Sequence, residues 1–297
     1  MILGIDGHCH VFAADGVGQT EMVGDPAYVP PMVSVEDHTQ HLAAMGYQHG
    51  VLVQPSAYGT SDHRCLLASL RARPDHLRAV AAIQPGTAAE TIETMHAAGV
   101  RATRVQDGYP GGVPVEALPE VAKMVQPWGW HIEIWTDVRR HHTWLGDAIR
   151  RSPVPVMIDH LGYIPSDVPL SAPALQLMVE LLRDGEVWVA LSGLDRLLPA
   201  DVGTDPAGPG FDAAWASHEE AITERAQAFV QACPTQLIWG TDWPHVGLQL
   251  PHPDGPTVRE RLNRWVPDPR VRQRILVDNV VRCYDFTAPT AGSVEIS

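Results

Sequence analysis

Lysine is almost absent from this chain. Lys123 stands alone among 297 residues, and the other basic residues are arginines. With 21 basic against 35 acidic residues, the formal net charge is -14. A field of that sign repels phosphate backbones and anionic lipid surfaces, so neither nucleic acid nor membrane is an expected partner. No apolar run reaches the roughly 18 residues that a membrane span needs. No basic stretch precedes a hydrophobic one at the N-terminus, so no secretion signal is read there. Cysteine is scarce too: Cys9, Cys65, Cys233 and Cys283 are scattered, with no C-x-x-C pairing. That pattern fits free thiols in a reducing cytoplasm. A G-x-G-x-x-G turn is missing after the first apolar run, which argues against a dinucleotide-binding open sheet.

What is present is a rhythm. Short β-branched apolar runs occur at Ile2–Asp6, Gly50–Gln54, Ala79–Ile83, Val100–Val105, His131–Trp135, Val154–Asp159, Val187–Leu191 and Gln236–Gly240. Near-continuous apolar strands of this kind are buried on both faces, as in a parallel sheet. Helical patterns lie between them: Val35–Met45 after the N-cap Ser34, Asp62–Arg73 after Ser61, Thr87–Ala98 before Gly99, and Val115–Val125. Val138–Arg151, Ala174–Arg183, Asp212–Ala232, Thr257–Trp265 and a terminal Asp268–Tyr284 complete the set. Eight strands alternating with helices predict an α/β fold, a (β/α)8 TIM barrel, as a single catalytic domain over 1–286. Residues 287–297 read as a frayed C-terminal tail. Two long connections, Val11–Pro31 and Ser192–Gly210, follow strand ends and are expected over the barrel mouth.

In such a barrel the chemistry sits at the C-terminal strand ends. The first strand leads into His8-Cys9-His10, and an i, i+2 spacing points both imidazoles to one side of a strand. Two converging imidazoles can bind a metal or polarise a carbonyl. Strand 6 ends in Asp159-His160. Strand 8 runs into Thr241-Asp242-Trp243-Pro244-His245. A carboxylate there can serve as general base or metal ligand, or merely cap the next segment. Asp159 reads as structural, and His131, His141 and His142 as bystanders.

Taken together, His8-Cys9-His10-Val11-Phe12, Asp159-His160-Leu161-Gly162, Ile238-Trp239-Gly240-Thr241-Asp242-Trp243-Pro244-His245 and Leu276-Val277-Asp278-Asn279 resemble the amidohydrolase superfamily. More narrowly they resemble its lactonase branch, the pyrone dicarboxylate and sugar-acid lactonases. The resemblance implies a metal-independent hydrolase that opens a small lactone, an enzyme of the carboxylic ester hydrolase type. By the same match Asp242 is the base on water, and His8, His10 and His160 polarise the carbonyl. Ser56, Arg104 and Arg196 match positions that hold substrate carboxylates. Tyr28, Tyr58 and His245 match positions near the mouth.

Two departures shape the expectation. Strand 5 ends in Trp135 rather than histidine and strand 4 offers Arg104, which argues against a binuclear metal site. No cofactor is therefore expected to be required; a single zinc would take His8, His10 and Asp242. The branch also carries an arginine after strand 4 and another after the strand-6 motif, where this chain has Asp107-Gly108-Tyr109-Pro110 and Tyr163. Each absent arginine removes a charge-assisted contact. The implied substrate has one carboxylate, or is more neutral and aromatic, with Trp135, Tyr163 and Trp243 lining its pocket. The alternatives on the same scaffold are a metal-dependent decarboxylase of an aromatic or enoic acid and a lactone isomerase. A binding protein would have lost His8, His10, His160 or Asp242. The partner is a small molecule; monomer and homodimer are equally compatible with the sequence.

Overall fold

Eight parallel strands lie side by side in chain order. They are β1 Ile5–Cys9, β2 His49–Val53, β3 Leu77–Ala81, β4 Val100–Gln106, β5 His131–Trp135, β6 Val156–Ile158, β7 Trp188–Leu191 and β8 Leu237–Trp239. The computed structural model describes residues 3–14, 28–199, 202, 210–248 and 253–286. The expected tail, most of the first long connection and about half of the second fall outside these residues. The sheet closes on itself beyond β8: Asp242 N–H donates to His8 O and His10 N–H to Trp243 O, both at 2.8 Å. The expected (β/α)8 barrel is therefore formed.

The helices between the strands are α1 Val35–Ala44, α2 Arg64–Ala72, α3 Ala89–Ala98, α4 Leu118–Val125, α5 His142–Arg150, α6 Pro173–Arg183, α7 Phe211–Ala232 and α8 Gly255–Trp265. Strands β1, β3, β5, β6 and β8 are buried along their whole length, as an inner layer under a helical coat must be. Local chemistry fixes several helix ends. Ser34 caps α1 in a reciprocal box: its hydroxyl accepts from Asp37 N–H, and the Asp37 carboxylate accepts from Ser34 N–H. Helix α2 begins at Arg64 instead of after Ser61, because the Asp62 carboxylate takes the Arg64 N–H and guanidinium. The terminal helical run contains a wider π turn at Arg274–Asp278, between α9 Pro269–Gln273 and α10 Asn279–Tyr284. There the buried Asn279 amide donates to Leu237 O at 2.7 Å and Pro234 O at 2.9 Å, which anchors the start of β8.

The first strand departs from the sequence reading. It begins at Ile5 rather than Ile2 and runs past His8 to Cys9, with His10 just beyond its end. Its register against β2 slips between Asp6 and Cys9, so one extra residue is accommodated. The bulge changes which side chains share a face. Asp6 and Cys9 both turn outward to α1, where they meet His41 and His38. His8 and His10 turn inward. Asp6 is thus removed from the inward set in which simple alternation places it. Its carboxylate accepts from Thr241 N–H at 2.8 Å and from the Thr241 hydroxyl at 2.6 Å, tying β1 to the turn after β8. Among the described residues, no helix is long and apolar enough to cross a membrane. All four cysteines are free thiols.

Candidate active site

The inward turn of β1 brings His8 and His10 together, with ring centroids 5.2 Å apart and nearly perpendicular. The His8 ring also stands 4.7 Å from His160, which follows β6. Asp242 completes the group. Its Oδ1 lies 3.8 Å from His8 Nε2 and 3.5 Å from His10 Nε2. Its Oδ2 accepts from the Arg196 Nε–H, and a second Arg196 nitrogen donates to Val246 O at 3.0 Å. Asp242 caps no helix; Asp254 does that for α8. Asp242 and His160 both hold left-handed backbone, at φ 62° and 50°. Non-glycine residues rarely adopt it, and such outliers cluster at functional sites.

Hydrogen bonds set the orientation of each imidazole. The Val53 carbonyl lies 2.7 Å from His10 Nδ1 and accepts its proton, so the neutral ring turns a lone pair inward at Nε2. His160 Nδ1 lies 2.9 Å from the Ser192 hydroxyl. His8 Nε2 and Asp242 Oδ1 are buried without hydrogen-bond partners in the protein. Two unsatisfied polar atoms facing each other mark a place built to receive something else.

Burial and charge fix the protonation states. Burial holds His8 well below the usual imidazole range, with His160 and His10 adding to the effect. Burial also pulls His160 down to about 3. For Asp242, burial opposes ionisation, but Arg196, then His160, His10 and His8, outweigh it and hold the carboxyl well below its ordinary value. Asp159 goes the other way: burial, reinforced by Glu133, pushes its carboxyl well up. At neutral pH the centre holds an ionised Asp242 beside neutral His8 and His160.

The structure brings most of the expected residues to one cleft. His10, His160, Asp242, Arg104, Arg196, Ser56, Tyr28 and Trp135 line it, and His8 lies just beneath. Others fall elsewhere. Tyr58 sits behind the wall, its hydroxyl donating to Phe12 O at 2.7 Å, so it buttresses Phe12 instead of facing the cleft. Tyr163 packs edge-on against Trp135, one layer back. Trp243 stacks on His41, on the α1 side. His245 is buried, and its N–H closes a turn onto Asp242 O at 2.9 Å. His131, as expected, opens β5 far from the mouth and contacts Glu133 and Cys283 instead. Three lining residues, Tyr109, Val246 and Pro55, were not picked out from sequence. Tyr109 alone had a visible signal: it occupies the loop where the lactonase branch carries an arginine.

Close backbone approach at Gly240 keeps this group together. A Cβ there would lie 2.5 Å from His8 N and 2.7 Å from His8 Cβ, and one at Gly7 would lie 2.6 Å from Trp239 O. Gly240→Ala is therefore expected to push β1 away from β8. The overpacking should cost about 1–3 kcal/mol, visible as a lower thermal midpoint. Turnover should fall as well, because the displaced residue is His8. An unchanged melting curve would show that the barrel relaxes there without strain.

The amidohydrolase family model matches residues 5–286. A 2-pyrone-4,6-dicarboxylate hydrolase of Comamonas testosteroni is 25% identical over 290 residues, covering 94% of this chain and 89% of the relative. A 4-sulfomuconolactone hydrolase of Hydrogenophaga intermedia is 26% identical, covering 89% and 83%. A D-galactarolactone isomerase of Agrobacterium fabrum is 23% identical, covering 82% and 78%. Among solved structures, a candidate 2-pyrone-4,6-dicarboxylic acid hydrolase of Pseudomonas putida superposes with a TM-score of 0.80. It is 26% identical, over 97% of this chain and 99% of that one. With a family match over nearly its whole length, the chain belongs to the amidohydrolase family.

Proposed function

We propose that this protein hydrolyses a small carboxylate-bearing lactone to the ring-opened hydroxy acid. The observation that carries the reading is the divided Asp242 carboxylate. Arg196 holds Oδ2, which leaves Oδ1 buried, ionised and without a hydrogen-bond partner, 3.5 Å from His10 Nε2 and 3.8 Å from His8 Nε2. Oδ1 is the atom that takes a proton from water as the water oxygen bonds to the lactone carbonyl. His8, His10 and His160 surround the reacting group: the neutral rings of His8 and His160 can each donate an N–H to the carbonyl oxygen as it gains charge, a contact worth a few kcal/mol, roughly 3, while the His10 Nε2 lone pair can accept from the attacking water. On collapse the ring C–O bond breaks, and the ring oxygen recovers the proton from Asp242. Arg104 offers a positive contact for an acidic substituent, and Ser56 lines the same cleft. The lactone hydrolases among the relatives support the same reading.

The residues also fit a zinc ion. Asp242 Oδ1 lies 3.8 Å from His8 Nε2 and 3.5 Å from His10 Nε2, close to the ~3.4 Å between ligands of a tetrahedral zinc. When bound, such an ion polarises a carbonyl and lowers the pKa of water. Arg196 on Asp242 and Trp135 at the end of β5 favour a centre that works through the chain's own groups. A second reading, lactone isomerisation, draws on the galactarolactone isomerase relative. There an acyl group would pass to a neighbouring hydroxyl instead of water.

One experiment addresses all three. The purified protein, before and after exhaustive chelation, is mixed with a panel of carboxylate-bearing lactones and followed by NMR. Ring-opened hydroxy acid, formed equally after chelation, is expected. A new lactone of unchanged mass would establish the isomerase. Loss on chelation with rescue by zinc would make the ion essential. No turnover across the panel would overturn the lactone reading.

A further inference from the structure

The charges that line the cleft are few and already partly committed. Among its lining residues only Arg104, Arg196 and Asp242 carry formal charge. Arg196 and Asp242 neutralise each other through their direct ion pair. That leaves Arg104, whose guanidinium lies 3.7 Å from Asp159, a carboxyl that burial and Glu133 push toward its neutral form, so the cleft carries at most one net positive charge. Among the described residues no other lysine or arginine lines the cleft. Every segment outside the described residues lacks lysine and arginine, so no undescribed part of the chain can add one. The nearby Arg139 and Arg140 are paired with Asp137 and Asp107.

The rest of that side is aromatic. Tyr28 stands 5.4 Å from Tyr109, Tyr109 stands 4.8 Å from Trp135, and Trp135 stands 5.5 Å from Tyr163. The Arg104 guanidinium carbon lies 5.2 Å from the centre of the Trp135 ring. Gly108 lets the loop lie against that ring, since a Cβ there would be 2.8 Å from the indole. The indole N–H of Trp135 is buried and has no acceptor. Such a wall takes the face or edge of a flat ring and gives no counter-charge to a second acid group.

We propose that the cleft takes a monoanionic lactone, its single carboxylate on Arg104 and its other flank a flat unsaturated or aryl group against Tyr28, Tyr109 and Trp135. The proposal rests on the lactone-hydrolase reading of the same site. It makes Tyr109 a specificity-determining residue.

The test uses three 2-pyrone-6-carboxylates that differ at one ring carbon, which carries phenyl, methyl or a second carboxylate. With the intact protein, kcat/KM for the phenyl compound should exceed that for the diacid by at least about 100-fold. Equal or reversed preference overturns the proposal. Calorimetric titration with the matching lactams, which resist hydrolysis, separates this inference from the function it rests on. Tighter binding of the phenyl lactam supports the substrate class even where no lactone turns over; equal or tighter binding of the diacid lactam, or no binding by any, overturns it. Tyr109→Arg should shift the phenyl-to-diacid ratio toward the diacid by at least about tenfold. A ratio unmoved by that added charge would remove Tyr109 from the specificity role.

Discussion

Replacing Asp242 with asparagine lowers kcat by about 10²–10⁴-fold while the fold persists. That is the expected result, and the structure gives reasons for both halves. Asparagine has the shape of aspartate, and it tolerates the left-handed backbone at φ 62° better than most residues. Its carbonyl oxygen can still accept from Arg196, so the buried guanidinium keeps a partner. What asparagine cannot do is take a proton at the Oδ1 position, which the protein leaves without a hydrogen-bond partner. KM should move far less than kcat, because Arg104 and the aromatic wall are untouched. Asp242→Ala separates the two roles. It also strips Arg196 of its counter-charge, and removing one partner of a buried pair costs about 3–5 kcal/mol. Steady-state kinetics and thermal melts on both variants are the measurement. Near-normal turnover in the asparagine variant would sink the base assignment.

The sequence made the barrel legible because its signal is redundant. Eight apolar runs each repeat the same message, and β5 coincides with its apolar run at His131–Trp135. Register was harder. The Met1–Ile5 run suggests an early strand, but hydrogen bonding to β2 begins at Ile5, and a bulge then rotates Asp6 outward. A bulge leaves no mark in hydrophobic periodicity. The site showed the same split. His8, His10, His160 and Asp242 were readable because each stands at a strand end within a local motif. Arg196 could be placed near the mouth, but its pairing with Asp242 joins positions 46 residues apart and depends on how two turns fold toward each other. Tyr58 failed for a similar reason: whether it faces the cleft is decided by Phe12, a contact across two loops.

The same buried histidines make the fold sensitive to acid well above the range where carboxylates titrate. His38 lies under β1, its Nε2 2.9 Å from Cys9 Sγ, and burial holds it at about 4. His218 is held at about 4 and His160 at about 3, again by burial first. The unfolded chain protonates each near 6.5, so between that value and the folded one the unfolded state binds more protons. Stability is therefore intact above about pH 7 and falls as the pH drops through 6.5 toward 4. At pH 5 each fully buried histidine has lost roughly 2 kcal/mol relative to pH 7.5. His131 has the opposite sign. Burial opposes its charge, but Cys283 and Glu133 outweigh this and raise it to about 10. Its contribution grows by roughly 1 kcal/mol as pH falls from 7.5 to 6.5 and by only about 0.4 kcal/mol more by pH 5, so it offsets little of the loss below pH 6.5. For these four histidines the net cost at pH 5 is roughly 4–5 kcal/mol, a large share of a typical total of about 5–15 kcal/mol. Thermal or urea unfolding at pH 7.5, 6.5, 5.5 and 5.0 should show a drop of about 10 °C in midpoint across the series. His38→Gln, which cannot gain a proton, should make the curve shallower by one histidine's share. A midpoint that stays level to pH 5 would mean that these imidazoles accept protons in the folded state, and would remove the basis for a neutral His160 in the cleft.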